Sequence, residues 1–325
     1  MDDAWALPES LRDRLFTSAD ARGAGVGASR LRSSRTERLA RGVYVDASAL
    51  SDLRLRATAA LLSVDGSAWL SHATAASLQE LPLPPRLREL DRIDVTVPSP
   101  QHAPRGTGLR GRQRALDPAQ IRVVDGLRMS SPAQAFVDGA DYLSFEDLVA
   151  LGDGIVKERA PLASAAELRA AVAAHAGQRG HRRLLAAAFA LHPRAWSRPE
   201  TIMRLGFESL GAPEPWCNVP VVLAGVTFAP DAAFWRSGVL IEIEGDHHRT
   251  DRAQWLRDLD RYNLVQRLGL EQYRLTVATP TRTASELLPI VERIRARHRA
   301  DVELPRIAGF FTGIPEFGEV RWWER

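Results

Sequence analysis

The run LIEIEGDHH, residues 240–248, has the pattern of a buried β-strand but carries acids where apolar side chains are expected. Its leucine and isoleucines favour a central strand of a sheet. Side chains alternate between the two faces of a strand, so Glu242 and Glu244 lie on the same face. Two carboxylates on one face of an apolar strand need a counter-charge, and the preceding sequence indicates what supplies it.

The same run is the second arm of a predicted β-hairpin. If Trp235–Gly238 form a four-residue loop, Phe234 pairs with Val239. Counting back along the hairpin then places Asp231 opposite Glu242. Directly opposed carboxylates repel each other, and burial raises the cost of ionising them. An exposed hairpin edge with solvated acids is the alternative reading.

A divalent cation between the opposed acids removes both objections, and Glu244 adds a third carboxylate on the same face. Hard oxygen ligands of this kind suit Mg²⁺ or Mn²⁺, which usually keep several waters. Zinc is disfavoured, because Cys217 is the only cysteine and no Cys/His spacing indicates a structural zinc site. The sequence therefore predicts a Mg²⁺ or Mn²⁺ site with Asp231, Glu242 and Glu244 as ligands.

Elements on both sides of the hairpin extend the pattern. Upstream, Ser197-Arg-Pro-Glu200 predicts a helix start, with Ser197 as the N-cap and Glu200 at the third helical position. Downstream, Gly245 and two histidines precede a predicted helix on which a glutamine, an aspartate and an arginine share one face. The downstream residues are His247, His248, Gln254, Asp258 and Arg261.

Together these motifs resemble the PD-(D/E)XK phosphodiesterase superfamily over roughly residues 197–297. The likeness is closest to its very-short-patch-repair-like endonuclease branch, whose strand is followed by a glycine, histidines and a Q-x3-D-x2-R helix. The resemblance implies a restriction-endonuclease-like mixed sheet flanked by helices and metal-assisted hydrolysis of a phosphodiester. It matches Glu200 to the helix acid, Asp231 to the strand aspartate and Glu242 to the first acid of the E-x-K pair.

The resemblance leaves several roles open. Asp231 and Glu242 would bind the metal directly, whereas Glu244 would bind it or orient the attacking water. Either histidine would protonate the leaving oxygen or hold the scissile phosphate. Arg261 would contact phosphate or pair with Asp258. A separate, structural reading of Glu200 is a capping box formed with the N-cap serine.

One departure concerns the superfamily's lysine, whose position is occupied here by Glu244. Lys157, the only lysine of the chain, lies in another segment. The patch-repair branch also lacks that lysine, so its loss does not by itself imply inactivity. The general base is then Glu244, His247, His248 or a water at the metal.

The first fifty residues are locally basic, with eight arginines against three acids between Leu11 and Gly42. The pattern predicts three short helices, namely LRDRLF, a second that opens with a cap at Thr17, and residues 28–34, then a hairpin that turns at Arg41-Gly42. This order is typical of a winged helix-turn-helix, whose second helix of the pair enters the DNA major groove. A small helical cap with a solvated basic face is the alternative. The residues expected at bases are Ser29, Arg30, Arg32 and Ser33, and those expected at phosphates are Arg35, Arg38 and Arg41.

The stretches LFTSADA and RLARGVYV in this segment resemble the N-terminal domain of abortive-infection type IV antitoxins. The likeness continues more loosely through residues 53–157, where SHATAASLQELPLP, DRIDVTVP and IRVVDGLRMSSPAQAFVDGA match helices and strands of that family. Such proteins act as repressors or antitoxins. A Gly-rich loop is predicted in the middle segment, and it either extends a nucleic-acid surface or is only solvated. Its arginines are Arg105, Arg110, Arg112 and Arg114.

At 325 residues the chain is too long for one typical core, and its 45% hydrophobic and 26% charged content is ordinary for a globular protein. The expected class is mixed α/β (α+β) and multidomain. A single cysteine, an acidic start and the lack of a long apolar run predict a cytoplasmic protein with no membrane segment. The expected parts are a winged helix (1–50), a mixed α/β middle domain ending in helices (51–195), a restriction-endonuclease-like domain (196–300) and a tail (301–325).

Two functions follow from these patterns. The leading hypothesis is a Mg²⁺-dependent DNA endonuclease with an N-terminal DNA-binding module, active in phage defence or DNA repair, with RNA as the alternative substrate. The second is a non-catalytic DNA-binding repressor or antitoxin that has a cognate toxin or another defence-system protein as its partner. The aromatic-rich tail would cover a sheet edge, pair with a second copy in a homodimer, or stack on bases.

Overall fold

The chain is a mixed α/β protein, as predicted, and its contacts divide it into two units. The N-terminal unit is Met1–Tyr142 with Ala170–Ala176, and the C-terminal unit is Leu143–Arg169 with Gly177–Arg325. None of the described helices is long and apolar enough to cross a membrane. The computed structural model describes residues 7–12, 14–48, 52–64, 66–87, 89–115, 117–244, 252–276, 284–299, 301–302 and 305–307.

The N-terminal unit begins with a three-stranded antiparallel sheet in the order β1-β3-β2. Its helix α1 starts with a capping box between Thr17 and Asp20, which confirms the predicted start of that helix. The hairpin turn also forms as predicted, with Gly42 in the left-handed region at φ +73°. The elements are β1 (Phe16–Thr17), α1 (Ser18–Gly23), β2 (Thr36–Ala40) and β3 (Val43–Asp46).

Two of the three predicted N-terminal helices are wrong. In the stretch LRDRLF, Phe16 instead begins β1 and packs with Leu11 in a small core, where pairing with β3 outweighs helix formation. Residues 28–34 form only a single 3-10 turn, Arg30–Arg32. The hydroxyls of Ser33 and Thr36 both donate to the Arg30 carbonyl, and such local bonds compete with continued helix.

A five-stranded sheet in the order β6-β5-β4-β8-β7 forms the rest of this unit. Leu70, Val95 and Met129 of the sheet belong to an apolar core with Ala57 of helix α2 (Leu53–Leu62). The arginines at 110, 112 and 114 lie on strand β6, so the prediction of a loop for them is wrong. The elements are α2 (Leu53–Leu62), β4 (Trp69–Leu70), α3 (His72–Leu78), β5 (Ile93–Pro98), β6 (Leu109–Arg114), β7 (Ile121–Val124), β8 (Leu127–Ser130) and α4 (Pro132–Gly139).

The C-terminal unit is built around the predicted hairpin. Strand β11 pairs antiparallel with β12, and β12 pairs in parallel with β13, the strand that follows helix α9. Phe207, Ile241 and Val291 are fully buried in the core beneath this sheet. The elements are α5 (Phe145–Val156), α6 (Ala165–Ala174, which crosses the unit boundary), α7 (His181–Phe189), α8 (Arg198–Ser209), β9 (Val221–Leu223), β10 (Val226–Phe228), β11 (Ala232–Phe234), β12 (Val239–Glu244), α9 (Arg252–Arg267), β13 (Glu271–Thr276), α10 (Ala284–Arg297) and β14 (Arg306–Ile307).

A buried polar network joins α5 to α8. The Asp153 carboxylate accepts hydrogen bonds from Thr201 Oγ1 at 2.8 Å and Arg204 Nη2 at 3.3 Å, both on α8. It also accepts from the backbone N–H of His192 at 2.6 Å. The helices around Asp153 therefore belong to the C-terminal unit, whereas the sequence assigned residues up to 195 to a middle domain. The network fixes the helix that carries Glu200.

The same network makes stability depend on pH in two opposing ways. Burial raises the pKa of Asp153 from 3.8 to about 7, so its contribution to stability is full below pH 3.8 and is lost as the pH rises through 7. Burial and the charges of Arg204 and Arg194 lower the pKa of His192 from 6.5 to about 3, so its contribution is full above pH 6.5 and is lost on acidification. Between pH 3.8 and 6.5 the two groups change the free energy of unfolding with pH in opposite directions, so their effects offset each other.

Single substitutions should separate the effects of Asp153 and His192 on the pH dependence of stability. We expect His192→Asn to gain stability as the pH falls from 6.5 towards 3.8, and Asp153→Asn to lose stability over the same range. Each slope should approach ~1 kcal/mol per pH unit, because one bound proton corresponds to about 1.4 kcal/mol per unit. Urea unfolding across a pH series measures both, with the wild-type chain as the reference. Parallel pH profiles for all three proteins would contradict the assignment.

Candidate functional site

The register of the central hairpin is the one predicted. Phe234 pairs with Val239, and Ala232 pairs with Ile241. The loop between the strands is a 3-10 turn that ends at Gly238, which is in the left-handed region at φ +62°. The paired register ends at Ala232 and Ile241, so Asp231 directly precedes the last pair and Glu242 directly follows it. Continued by one residue, this register would set the two carboxylates opposite each other on one face of the sheet.

Asp231 is held in place by the opposite strand. Its Oδ2 accepts a hydrogen bond from the backbone N–H of Ile243 at 2.6 Å. Burial raises the pKa of Asp231, while this hydrogen bond and the charge of Arg261 act in the opposite direction. Arg261 is exposed on α9, and its guanidinium lies 5.3 Å from the Phe228 ring centroid. An anionic Asp231 would therefore be stabilised by any further positive charge near it.

Glu200 reaches the site from the first turn of α8. Its Oε2 accepts from the Trp196 backbone N–H at 2.9 Å, and its Oε1 accepts from the Ser197 hydroxyl at 2.7 Å. Ser197 in turn caps the helix by accepting from the Glu200 N–H, as predicted. Burial raises the pKa of Glu200, and the charge of Asp231 raises it further. The sequence-predicted helix acid and strand aspartate are therefore close in space, while Glu200 also serves the helix start.

Asn218 is a site residue that the sequence reasoning missed. Its Nδ2 donates to Glu200 Oε2 at 2.6 Å and to the Arg194 carbonyl at 2.7 Å, and its backbone N–H donates to the Pro230 carbonyl at 3.0 Å. Asn218 is buried in the left-handed region at φ +51°, which asparagine tolerates better than most residues. It ties Glu200 to the residue before Asp231. The only sequence signal was an asparagine in an apolar run.

Glu242 and Glu244 differ in their surroundings. Glu242 is half-buried, with its Oε1 atom shielded from solvent. Glu244 forms an ion pair with Arg274 on β13, and both side chains are about half exposed. Arg274 is paired in register with Glu242, so its guanidinium lies beside the acidic face. Glu244 is thus held by a neighbouring cation.

Several predicted residues lie outside the described part of the chain or have no described side chain. His247 and His248 fall in the undescribed stretch 245–251. Gln254 and Asp258 lie on α9, but their side chains are not described. Among the described residues, no group of three or more His, Cys, Asp and Glu side chains is arranged to hold a metal ion. The structure thus places Glu200 close enough to Asp231 for their charges to interact and pairs Glu244 with an arginine.

The N-terminal arginines are distributed over a turn and a hairpin. Arg32 is exposed and Arg30 half-buried on the 3-10 turn, and Arg35, Arg38 and Arg41 are exposed before, on and after strand β2. The predicted hairpin forms around the arginines predicted to contact phosphates. The residues predicted to contact bases lie at a single 3-10 turn and not on the predicted helix.

Comparisons with known proteins do not identify the chain. No family model matches it, and searches of curated proteins and of solved structures find no significant match.

Proposed function

We propose that this protein is a metal-dependent nuclease whose C-terminal unit hydrolyses DNA and whose N-terminal segment binds it. The observation that carries the proposal is the hairpin register, which ends next to Asp231 and Glu242, with Glu200 close enough to Asp231 for their charges to interact. The order of α8, β11, β12, α9 and β13 is also the one that the superfamily resemblance implies. These features support a restriction-endonuclease-like core.

The donor set fits a hard divalent cation such as Mg²⁺ or Mn²⁺. Burial raises the pKa of Asp231, so a cation bound between Asp231 and Glu242 would stabilise both as anions. Asp231 and Glu242 would hold the ion, and Glu244 would join them only after leaving Arg274. When bound, the ion supplies an acidified water and charge stabilisation on the phosphoryl oxygens.

The chain's own residues would orient the acids, contact the phosphates and accept the proton of the attacking water. Asn218 and the Ser197 hydroxyl orient Glu200, which lies close enough to Asp231 for their charges to interact. Arg261 and Arg274 lie beside the acids and are exposed enough to contact phosphates on either side of the scissile bond. The residue that accepts the proton of the attacking water is Glu244 or one of the two histidines, His247 and His248.

The test is a cleavage assay with supercoiled plasmid, linear duplex, single-stranded DNA and RNA, each titrated with Mg²⁺ or Mn²⁺. We expect nicking that requires the metal and saturates with it. A parallel thermal-unfolding series should show that the metal stabilises the protein, because it binds only the folded acidic face. The absence of cleavage on every substrate, together with no metal-induced stabilisation, would contradict the proposal.

A specific observation favours a second candidate, a non-catalytic DNA-binding repressor or antitoxin. Glu244 is already paired with Arg274, so the described acids do not form a complete set of three metal ligands. A protein of this kind would keep the nuclease-like unit as a binding platform. It would bind DNA upstream of its own gene without a metal. A toxin encoded next to that gene would support it.

DNA binding by the N-terminal arginines is expected under both candidates. Arg35→Ala, Arg38→Ala and Arg41→Ala should each weaken binding to all sequences and reduce the slope of log K against log salt by about 0.9, the value for one lost phosphate contact. Fluorescence anisotropy at several salt concentrations measures the slope. Arg54→Ala is the matched control, because Arg54 is exposed on α2 and pairs with Asp125. Unchanged slopes in the three hairpin variants would remove these residues from the DNA-binding surface.

A further inference from the structure

The N-terminal unit contains two buried carboxylates that the proposed function does not use. Asp94 on β5 and Asp138 on α4 are both only 1% exposed. Their mutual electrostatic influence, and that of His72 on both, places them in one polar cluster. The surroundings of these two acids differ.

Both carboxylate oxygens of Asp138 accept hydrogen bonds. Its Oδ1 accepts from Gln134 Nε2 at 2.7 Å and Arg114 Nη1 at 2.8 Å, and its Oδ2 accepts from the Ser130 hydroxyl at 3.0 Å and the His72 backbone N–H at 3.3 Å. Burial acts to raise the pKa of Asp138, but the charges of His72 and Arg114 and these hydrogen bonds lower it overall. Such a carboxylate is a structural anchor.

Asp94 has the opposite environment. Neither of its carboxylate oxygens has a hydrogen-bond partner among the described residues. Arg110 and Arg112 each stand 3.7 Å from Oδ1, beyond hydrogen-bond distance. The hydroxyl of Tyr142, whose pKa is raised by burial and by the charges of Asp138 and Asp94, is also buried without a partner. Buried polar groups are rarely left unsatisfied, so this cluster needs a further explanation.

The two arginines form the outer side of this cluster. Strand β6 runs parallel to β5, and Arg110 and Arg112 pair in register with Asp94 and Thr96. Arg110 is 50% exposed and Arg112 is 30% exposed, and the Nε atom of Arg112 is buried without an acceptor. The buried Asp94 carboxylate therefore forms long ion pairs with two guanidinium groups that reach solvent, but it accepts no hydrogen bond from them. Movement of the exposed Arg110 side chain would open the path to Asp94.

The chemistry of the cluster selects among ligand classes. A metal cation is disfavoured by the two guanidinium groups, and a simple anion is disfavoured by Asp94. A ligand with both a hydroxyl donor and an anionic oxygen acceptor satisfies all three groups. Guanidinium groups favour phosphate, and a buried aspartate that accepts from ribose hydroxyls is a common arrangement for nucleotides.

We propose that this cluster binds a ribonucleotide, with a ribose hydroxyl donating to Asp94 and the attached phosphate on Arg110 and Arg112. A free nucleotide and an RNA strand carry the same ribose and phosphate chemistry. The site lies within the N-terminal unit and does not depend on the acids of the C-terminal unit.

Isothermal titration calorimetry tests the proposal with adenosine 5′-monophosphate and with a short single-stranded RNA, each beside its 2′-deoxy counterpart. The wild-type chain should prefer at least one ribose form by about tenfold, the value of one hydrogen bond to a buried charge. Asp94→Asn should remove that preference, whereas Arg112→Gln should weaken the ribose and deoxy forms alike. Arg54→Gln, a matched exposed arginine, should change neither. Preference for the mononucleotide or for the strand identifies the source of the ligand.

Thermal unfolding provides a readout that does not need the ligand. We expect Asp94→Asn to raise the melting temperature by a few degrees, because it removes a buried carboxylate without hydrogen-bond donors. A lower melting temperature would show that Asp94 is structural, satisfied by bound water, and would overturn the proposal. So would equal affinity of the wild-type chain for ribose and deoxy forms, or no binding of either.

Discussion

Asp231→Asn is expected to reduce metal-dependent cleavage by about a thousandfold or more while leaving the fold intact. A catalytic metal contributes several kcal/mol of charge stabilisation, and about 1.4 kcal/mol corresponds to a tenfold change in rate. The amide oxygen can still accept the Ile243 N–H, and the substitution removes a carboxylate whose pKa burial has raised. The variant should therefore unfold at or above the wild-type temperature without metal and gain no stability from Mg²⁺ or Mn²⁺.

Two further variants sharpen this test. Glu242→Gln should match Asp231→Asn, because the proposed metal site uses both acids as ligands. Glu244→Gln should have a smaller effect on metal-induced stabilisation, because Glu244 is paired with Arg274. If Asp231→Asn cleaves at the wild-type rate, the acidic face is not the active centre. If all variants and the wild type are inactive and bind DNA without metal, the repressor candidate is favoured.

Arg204→Met is expected to destabilise the C-terminal unit by ~3–5 kcal/mol, because removing one partner of a buried ion pair leaves the other charge uncompensated. The Arg204 guanidinium is buried and donates to Asp153, Glu208 and the Ala190 carbonyl. Burial acts to lower the pKa of Arg204, but the charges of Asp153 and Glu208 raise it overall, so the side chain is charged at neutral pH. Urea unfolding at pH 8 gives the loss directly, since Asp153 is then mostly ionised.

The double variant Asp153→Asn with Arg204→Met is the control for this prediction. It removes both charges, so it should recover part of the lost stability relative to Arg204→Met alone. Arg198→Met offers a second comparison, because Arg198 pairs with Asp147 but is 22% exposed and should cost less. Equal losses in Arg198→Met and Arg204→Met would show that burial does not set the strength of these pairs.

The predictions that held rest on local chemistry. The length of the loop fixed the hairpin register, because each residue shift would move every side chain to the other face. The serine before Arg-Pro-Glu predicted the start of α8 from the cap alone. The Phe234–Val239 and Ala232–Ile241 pairs therefore follow from the sequence alone.

The predictions that failed, and the features that were missed, depend on residues distant in sequence. Phe16 joins a strand because β3, more than twenty residues away, offers it a partner. The Glu244–Arg274 pair exists because β12 and β13 are parallel neighbours, which a linear motif does not reveal. For the same reason the sequence could not predict that Asp94 lacks hydrogen bonds, since no spacing rule distinguishes it from Asp138.

The buried link between Asp153 and α8 also determines where the chain can be cut. A fragment that starts at the sequence-derived boundary, residue 196, would leave Arg204 buried with its main counter-ion deleted. A fragment of residues 143–325 keeps α5 and the whole network. The C-terminal unit should therefore be soluble and assayable from the longer start and aggregate from the shorter one. For biochemistry on the acidic face, the choice of first residue matters as much as the choice of metal.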